Sequence, residues 1–553
     1  MHESTSDILL RCEQDHSAPP YVVAPGTYRE GKGSFLRRSL PLPVPPVPLP
    51  TGGDDVFVVS DLHIAAGRNA AGTFRGTENF FADDSFARFL EHALEVKKSS
   101  AAILILNGDL FDFLRVTEYP GKTAAPRLTT KIRDALKRRP LEAGSRPTGD
   151  DADTFARWSS ALGRVGIGRT PGELEVSISD RERTYGLGTE EFKSVYKLMR
   201  IQTGHPVFFA ALSRWMEGGH RIVVVKGNHD LEWYWLGVRN YFRLAIADGI
   251  AARAKRRDIN GVLKKTVLPN ITFIDDALLV DRTIYLEHGH RYDRFSMVLD
   301  GPTLPRNPRQ INIPFGSFFN RYLINRIELF YPFLDNVRPG TNLLPVLVRE
   351  NFPLALRVLF QHIPFMIRVL STRPRYVWFM FHSVFWTLLA LAVPLLVPLI
   401  FAPGILADVS GSIGTGGGTG IAGAIITAGR NVGLLILSYL LARFVAWYQL
   451  EEPSSLEPYA AVRAAGAGFA IMAMGHTHNP GESLLEGGCR FYNTGTWIPI
   501  IESSSAAVRE DRTYTFLHIT REKGGAPRAE GGMLQRWNDD ALRGEPLVVV
   551  DRT

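Results

Sequence analysis

The chain sets short apolar runs against abrupt polar stops. Val56–Ser60, Ala101–Leu106, Ile222–Val225, Thr283–Leu286 and Ala470–Met474 are each four to six residues long and rich in apolar, often β-branched, side chains. Runs of that length predict strands, and their unbroken apolar character predicts burial on both faces. Each run stops at residues that can bind a metal: Asp61-Leu62-His63, Asn107-Gly108-Asp109, Lys226-Gly227-Asn228-His229-Asp230, His288-Gly289-His290 and Gly475-His476-Thr477-His478. Phe208, Leu212 and Trp215 fall at helical spacing before Gly218-Gly219, and Glu190–Arg200 also reads as helix. Phe491–Thr494, Thr513–Ile519 and Leu547–Val550 are further strand candidates. Side chains just past the C-terminal ends of buried strands gather along one rim of a sheet. The pattern therefore predicts an α/β fold whose site is built from strand-end loops.

The same pattern divides the chain. Residues 1–50 read as a disordered tail, with LPLPVPPVPLP at 40–50 favouring extended polyproline II. Residues 51–293 read as the first part of a catalytic domain, interrupted by a helical insertion at about 115–205. Residues 460–553 read as its second part with a C-terminal extension. Between them, 294–459 is a second insertion, in which Tyr376 to Ala407 contains no Asp, Glu, Lys or Arg. Segments 377–403 and 421–448 are expected to form a transmembrane hairpin turning at the Gly-rich link Gly411–Gly420. Arg430 interrupts the second segment and would sit near the far interface; a buried core hairpin is the alternative. Arg368, Arg373, Arg375 and Arg443 flank the pair while the link carries only Asp408, which places the catalytic part on the cytoplasmic face of the inner membrane. Arg291–Arg375 holds twelve Arg, no Lys and five acidic residues, interleaved with Phe315, Phe318, Phe319, Tyr322, Leu323, Ile327 and Phe330. It reads either as helices lying on anionic lipid or as a solvated Arg-rich face.

Composition narrows the chemistry. In 553 residues, 63 Lys and Arg against 56 Asp and Glu leave a net +7, too modest to predict a specific nucleic-acid partner. The N-terminus lacks a secretory-signal pattern. Cys12 and Cys489 are the only cysteines, which excludes a disulfide framework and leaves His, Asp, Glu and Asn to bind any metal.

Seven residues then qualify as ligands: Asp61, His63, Asp109, Asn228, His288, His476 and His478. Asp-x-His and His-x-His put two ligands on one side of an extended backbone, and Asp109 has two oxygens with which to bridge. Such a set of oxygens and imidazoles suits two hard divalent cations. Two cations can hold a bridging water as hydroxide and clamp a phosphoryl group for in-line attack. His229 is the expected proton or hydrogen-bond donor to the leaving oxygen, with Asp230 orienting it. Asp112 is expected to support the site, and His290 either to support it or to touch substrate. His205, His220, His362, His382 and His518 lack clustered partners in sequence and read as structural. Trp233, Tyr234 and Trp235 read as core or rim packing. Each motif alone is ordinary turn or cap chemistry; all of them in order, each at a strand end, make a metal site.

The ordered set Asp61-x-His63, Gly108-Asp109-x-x-Asp112, Gly227-Asn228-His229-Asp230, His288 and Gly475-His476-x-His478 resembles the calcineurin-like metallophosphoesterase superfamily, over less than half of the chain. The resemblance implies a four-layer αββα sandwich of two mixed β-sheets. It also implies two divalent ions, manganese first, with iron, zinc or magnesium as alternatives, and cleavage of phosphomonoesters, phosphodiesters or pyrophosphates. Asp61, His63, Asp109 and His478 would hold one ion, and Asp109, Asn228, His288 and His476 the other. His229 would donate a hydrogen bond in the transition state, and Asn493-Thr494-Gly495-Thr496-Trp497 resembles the stretch after the family's last motif. Ser60-Asp61-Leu62-His63, Gly108-Asp109-Leu110-Phe111-Asp112 and Gly475–Pro480 look closest to the UDP-2,3-diacylglucosamine pyrophosphohydrolase branch. That branch usually has Arg at the position of His229 and His-Gly-Asp where this chain has His288-Gly289-His290, and it lacks the long insertions. The expectation is a membrane phosphoesterase acting on a lipid-linked or nucleotide-lipid phosphate. The rivals are a nuclease or nucleotide phosphatase with an incidental anchor, and a non-catalytic membrane scaffold or sensor.

Overall fold

The computed structural model describes residues 4–15, 45–120, 151–328, 453–502, 512–520 and 531–547, except 70, 71, 75, 76, 256, 294, 300 and 454, with isolated positions between 337 and 440. Two compact units emerge, Met1–Arg338 with Pro453–Thr553, and Pro339–Glu452. The first contains the elements below. Segments 377–403 and 421–448, expected to span a membrane, fall almost entirely outside the described residues. Among the described residues no helix is long and apolar enough to cross a membrane.

Strands run in chain order as β1 (Val47–Leu49), β2 (Asp55–Val59), β3 (Ala102–Asn107), β4 (Arg221–Val225), β5 (Ile271–Ile274), β6 (Ala277–Val280), β7 (Ile284–Glu287), β8 (Thr303–Leu304), β9 (Asn307–Ile311), β10 (Val337–Arg338), β11 (Ile471–Met474), β12 (Gly481–Leu484), β13 (Arg490–Asn493), β14 (Ile501–Glu502), β15 (Thr515–Ile519), β16 (Gly532–Asn538) and β17 (Arg543–Pro546). Two mixed sheets result, one ordered β17-β16-β15-β2-β3-β4-β5 and the other β1-β6-β7-β11-β13-β12. In the first, β2 to β5 are parallel and β15 to β17 antiparallel. In the second, β7, β11 and β13 are parallel.

The unbroken apolar strands follow from two-sided burial. Val56, Val58, Ile103, Ile105, Val223 and Val225 point to one side and pack on Leu278, Ile284, Leu286, Ile471 and Ala473, so the sheets meet face to face. The alternate residues Phe57, Val59, Leu104, Leu106, Ile222 and Val224 point the other way, into helices Asp83–Val96, Pro206–Glu217 and Leu236–Arg253. On the far side, Tyr285, Met472 and Phe491 meet helix Glu457–Ala464. Helix Pro206–Glu217 ends where the reading placed its stop: the Gly218 N–H caps Arg214 O, and Gly219 takes φ +80°. Leu547 lies just beyond β17, and 548–550 are outside the described residues.

Three expectations are corrected. Residues 1–50 are not wholly a tail: Thr5–Asp15 is a helix whose Ile8 and Leu9 are buried, and Val47–Leu49 pairs in parallel with Leu278–Val280. Pro48 is accommodated because β1 is an edge strand. The second insertion does not begin at 294, since the first compact unit runs on to Arg338. Finally, within the Arg-rich stretch Arg306 and Arg309 are exposed, but the part from Phe315 to Glu328 buries its arginines in protein. Phe315–Phe319, Asn320–Ile324 and Asn325–Glu328 run on as one helical stretch with a π turn at its centre. Phe318, Tyr322, Leu323, Ile327 and Arg321 are all buried there. Arg321 donates to the carbonyls of Gly186 and Leu187, and Arg326 to that of Thr184, where helix Asp180–Tyr185 leaves carbonyls without helical partners. These arginines cap a neighbouring helix.

Candidate metal centre

All seven ligand candidates come from loops at the C-terminal ends of strands, but of two sheets rather than one. Asp61 and His63 follow β2, Asp109 follows β3 and Asn228 follows β4; His288 follows β7, and His476 and His478 follow β11. Asp61, His63 and His478 offer donor atoms within 4.8 Å of one another, and so do Asp109, His288 and His476. His478 Nε2 lies 3.2 Å from Asp61 Oδ1, and His288 Nε2 3.2 Å from Asp109 Oδ2. His63 Nε2 stands 3.7 Å from Asp109 Oδ2, so that carboxylate faces both groups. The N–H of His229 donates to Asp109 Oδ1 at 2.8 Å, which brings the Asn228 loop against the same carboxylate.

The backbone that achieves this is not extended, as the spacing suggested. Asp61, His63, Asp109, His476 and His478 have φ of +55°, +48°, +50°, +69° and +56°. Left-handed backbone is uncommon for residues with a Cβ and concentrates at functional sites. Here the loops brace each other: the amides of Asp61, His63 and Ile64 donate to the carbonyls of Gly108, Asp109 and Leu110, and the His476 N–H donates to Asp61 Oδ2 at 3.0 Å. Two glycines are fixed by close approach. A Cβ on Gly108 would lie 2.4 Å from the His288 ring, and one on Gly227 2.1 Å from Asp109 Oδ1. These contacts are the physical reason for glycine before Asp109 and before Asn228.

The donor set fits divalent cations on three observations. Asn228 Oδ1 is buried without a hydrogen-bond partner, and Asp61 Oδ1 and His288 Nε2 have only an imidazole and a carboxylate 3.2 Å away and off hydrogen-bond geometry, a costly state unless something else binds them. His63 Nε2 and His478 Nε2 lie 3.0 Å apart, which two neutral imidazoles tolerate only by sharing a proton or a cation. The electrostatics agree. Burial opposes the Asp61 charge, but His288 and His478 outweigh it and hold the carboxyl well below its usual range. Burial likewise opposes charge on His63, yet Asp112, Asp61 and Asp109 push it up to about 10. Concentrated negative charge facing buried nitrogens is the setting a cation takes over.

His229 does not rest on Asp230. Its Nδ1 lies 2.8 Å from Asp112 Oδ2, four residues into the Gly108 loop. Asp230 instead accepts from the backbone amides of Gly227 at 2.6 Å and Leu110 at 2.8 Å, tying two strand-end loops together. The residue next in sequence is turned into the loop, while the partner across the site completes the pair. A second carboxylate escaped the sequence reading: Asp293 Oδ2 is 3.2 Å from His476 Nε2, as expected of a group that orients a metal-binding imidazole. His290 is buried beside His288 and His476, with Nδ1 lacking a hydrogen-bond partner. Trp233 is core, and Tyr234 and Trp235 are partly exposed.

Three histidines without partners in sequence have them in space, and His220 Nδ1 accepts from the Ala102 amide at 3.2 Å. His518 Nε2 meets Asp55 at 3.0 Å. His205 Nδ1 meets Asp83 at 3.0 Å and its Nε2 meets Glu78 at 3.2 Å. Glu78 in turn accepts from the amides of Ala65 and Gly67, just past His63. Burial opposes charge on His205, but Glu78 and Asp83 outweigh it and push it from 6.5 up to about 9. A raised imidazole stabilises the fold fully below its unfolded value and loses that contribution as pH climbs through the folded one. Stability is therefore expected to fall by on the order of 3 kcal/mol from this residue between pH 6.5 and 9. Chemical denaturation at several pH values measures it, and His205→Gln should flatten that part of the profile.

No protein-family model matches the chain and no curated protein matches it, so function is read from the geometry of these residues.

Proposed function

We propose that this chain is a dimetal phosphoesterase that hydrolyses a phosphodiester, phosphomonoester or pyrophosphate bond, with the sandwich and ligand roles of the calcineurin-like superfamily. The observation that carries the reading is Asp109, whose carboxylate stands between the Asp61–His63–His478 group and the His288–His476 group. Asp61, His63, Asp109 and His478 would hold one divalent cation, and Asp109, Asn228, His288 and His476 the other. When bound, the pair supplies a water activated near neutral pH and positive charge for the phosphoryl oxygens.

The protein's own part is positional. Asp61 and Asp109 keep their charge, and the left-handed loops fix where it lies. Asp112 holds His229 through Nδ1, which leaves Nε2 as the nitrogen for the leaving oxygen. Burial disfavours the imidazolium, but Asp112 and Asp109 outweigh it and raise the His229 pKa above its ordinary value, which favours the protonated ring that a donor needs. The substrate proposed is a lipid-linked or nucleotide-lipid phosphate at the cytoplasmic face of the membrane. Its support is the uncharged stretch from Tyr376 to Ala407 and the Arg-rich flanks.

The test is turnover by purified full-length protein in detergent with Mn²⁺, on bis-p-nitrophenyl phosphate, p-nitrophenyl phosphate and a nucleotide diphosphate lipid. Activity on at least one, lost to a chelator and restored by metal, is the expected result. Inactivity on all three overturns the reading. Steep salt dependence on DNA would favour the nuclease alternative.

A further inference from the structure

We infer that Glu328, at the end of the helical stretch Phe315–Glu328, is a positioning residue for His229, acting through Arg115 and Asp112. The inference rests on the phosphoesterase reading for its consequence in catalysis, but not for its geometry. None of the sequence motifs includes Glu328 or Arg115.

The three charged groups form an unbroken buried line. The side chains of Glu328, Arg115 and Asp112 are 0%, 2% and 1% exposed. Arg115 Nη1 donates to Glu328 Oε2 at 2.6 Å and Nη2 to Oε1 at 3.3 Å, a two-point fork. Nη1 also donates to the Thr77 carbonyl. The third nitrogen, Nε, lies 3.3 Å from Asp112 Oδ2. That same oxygen takes His229 Nδ1 at 2.8 Å and faces His63 Nδ1 at 3.8 Å. Asp112 Oδ1 is turned to the Arg115 amide.

Asp112 Oδ2 is thus contested by a guanidinium and an imidazole. A guanidinium binds a carboxylate best through two parallel N–H groups. Glu328 occupies that fork, so Arg115 offers Asp112 only its Nε edge and the short contact is left to His229. Without the Glu328 charge, the buried cation keeps Asp112 as a carboxylate already in contact, and a buried charge stripped of one partner is strongly driven toward another. Arg115 then draws Asp112 away from His229, and the ring loses its anchor.

The test uses full-length protein carrying E328Q, R115M or both, with metal content, kcat and KM on bis-p-nitrophenyl phosphate with Mn²⁺, and crystal structures. Glu328→Gln is expected to keep wild-type metal content, lower kcat by about 10–100-fold and leave KM within about twofold. Adding Arg115→Met should then raise kcat again, because the competitor for Asp112 is gone. A purely structural ion pair predicts the reverse order, with the double variant no better than the single. In the crystals, the Asp112–His229 contact should open in E328Q and close in the double variant. A double variant no more active than E328Q, or an Asp112–His229 contact unchanged in E328Q, overturns the inference. Should E328Q fail to fold, Glu328→Asp keeps the charge on a shorter arm and should show an intermediate kcat; wild-type kcat there counts against it. If the wild-type protein turns over no phosphate ester, the phosphoesterase reading falls, while the crystal geometry still decides the role of Glu328.

Discussion

Asp109→Ala is expected to strip bound metal and abolish phosphoester hydrolysis together, a loss of at least about four orders of magnitude in kcat/KM if the cation pair supplies both nucleophile activation and charge stabilisation. The carboxylate is buried and doubly engaged: Oδ1 accepts from the His229 amide, and Oδ2 faces His288 at 3.2 Å and His63 at 3.7 Å. Elemental analysis of the purified variant reads the metal, and the same preparation reads activity. Retention of both metals at wild-type occupancy would contradict a bridging role.

His229→Ala is expected to separate those two properties. Its Nδ1 is bound to Asp112, within a His63–Asp112–His229 group that could itself hold a cation, so kept metal content with a loss of about 10²–10⁴-fold in kcat and a small change in KM is the outcome expected of a proton donor rather than a ligand. The loss should be smaller for a substrate with a good leaving group, such as p-nitrophenolate, than for an alkyl ester, since a low-pKa leaving oxygen needs less help from a proton donor. An equal loss on both would point to a role in binding rather than in leaving-group departure. Asp112→Asn should follow His229→Ala in direction, whereas Asp230→Asn should act through the loop amides of Gly227 and Leu110 and so appear as lower stability.

Much of this site is legible in the sequence. The strands β2, β3, β4, β7 and β11 sit within one residue of the apolar runs, because two-sided burial leaves an unbroken apolar signature that polar loops must interrupt. Ile271–Ile274 and Ala277–Val280 carry the same apolar signature and were missed nonetheless, while other missed strands lack it. Gly481–Leu484 alternates partly buried with exposed positions at a sheet edge, and Val47–Leu49 is hidden in a proline-rich run that reads as a spacer. The Arg-rich stretch misled for a related reason. Arginine beside aromatics is the composition of a lipid-facing helix, and equally of a helix whose arginines cap buried carbonyls, as Arg321 and Arg326 do. Composition does not separate the two; the presence of a neighbouring helix end does.

What the sequence determined by itself was the inventory: which side chains carry chemistry, and that each stands at the end of a buried strand. Backbone hydrogen bonding and apolar burial are local enough to leave that record in spacing and residue type. Only the tertiary structure decided the pairings: that two sheets, not one, share the site, that Asp112 rather than Asp230 holds His229, that Asp293 meets His476, and that Glu328 reaches Arg115 across 213 positions of chain. Electrostatic partners are chosen by distance in space and by the cost of leaving a buried charge alone, and neither quantity is written in the order of residues along the chain.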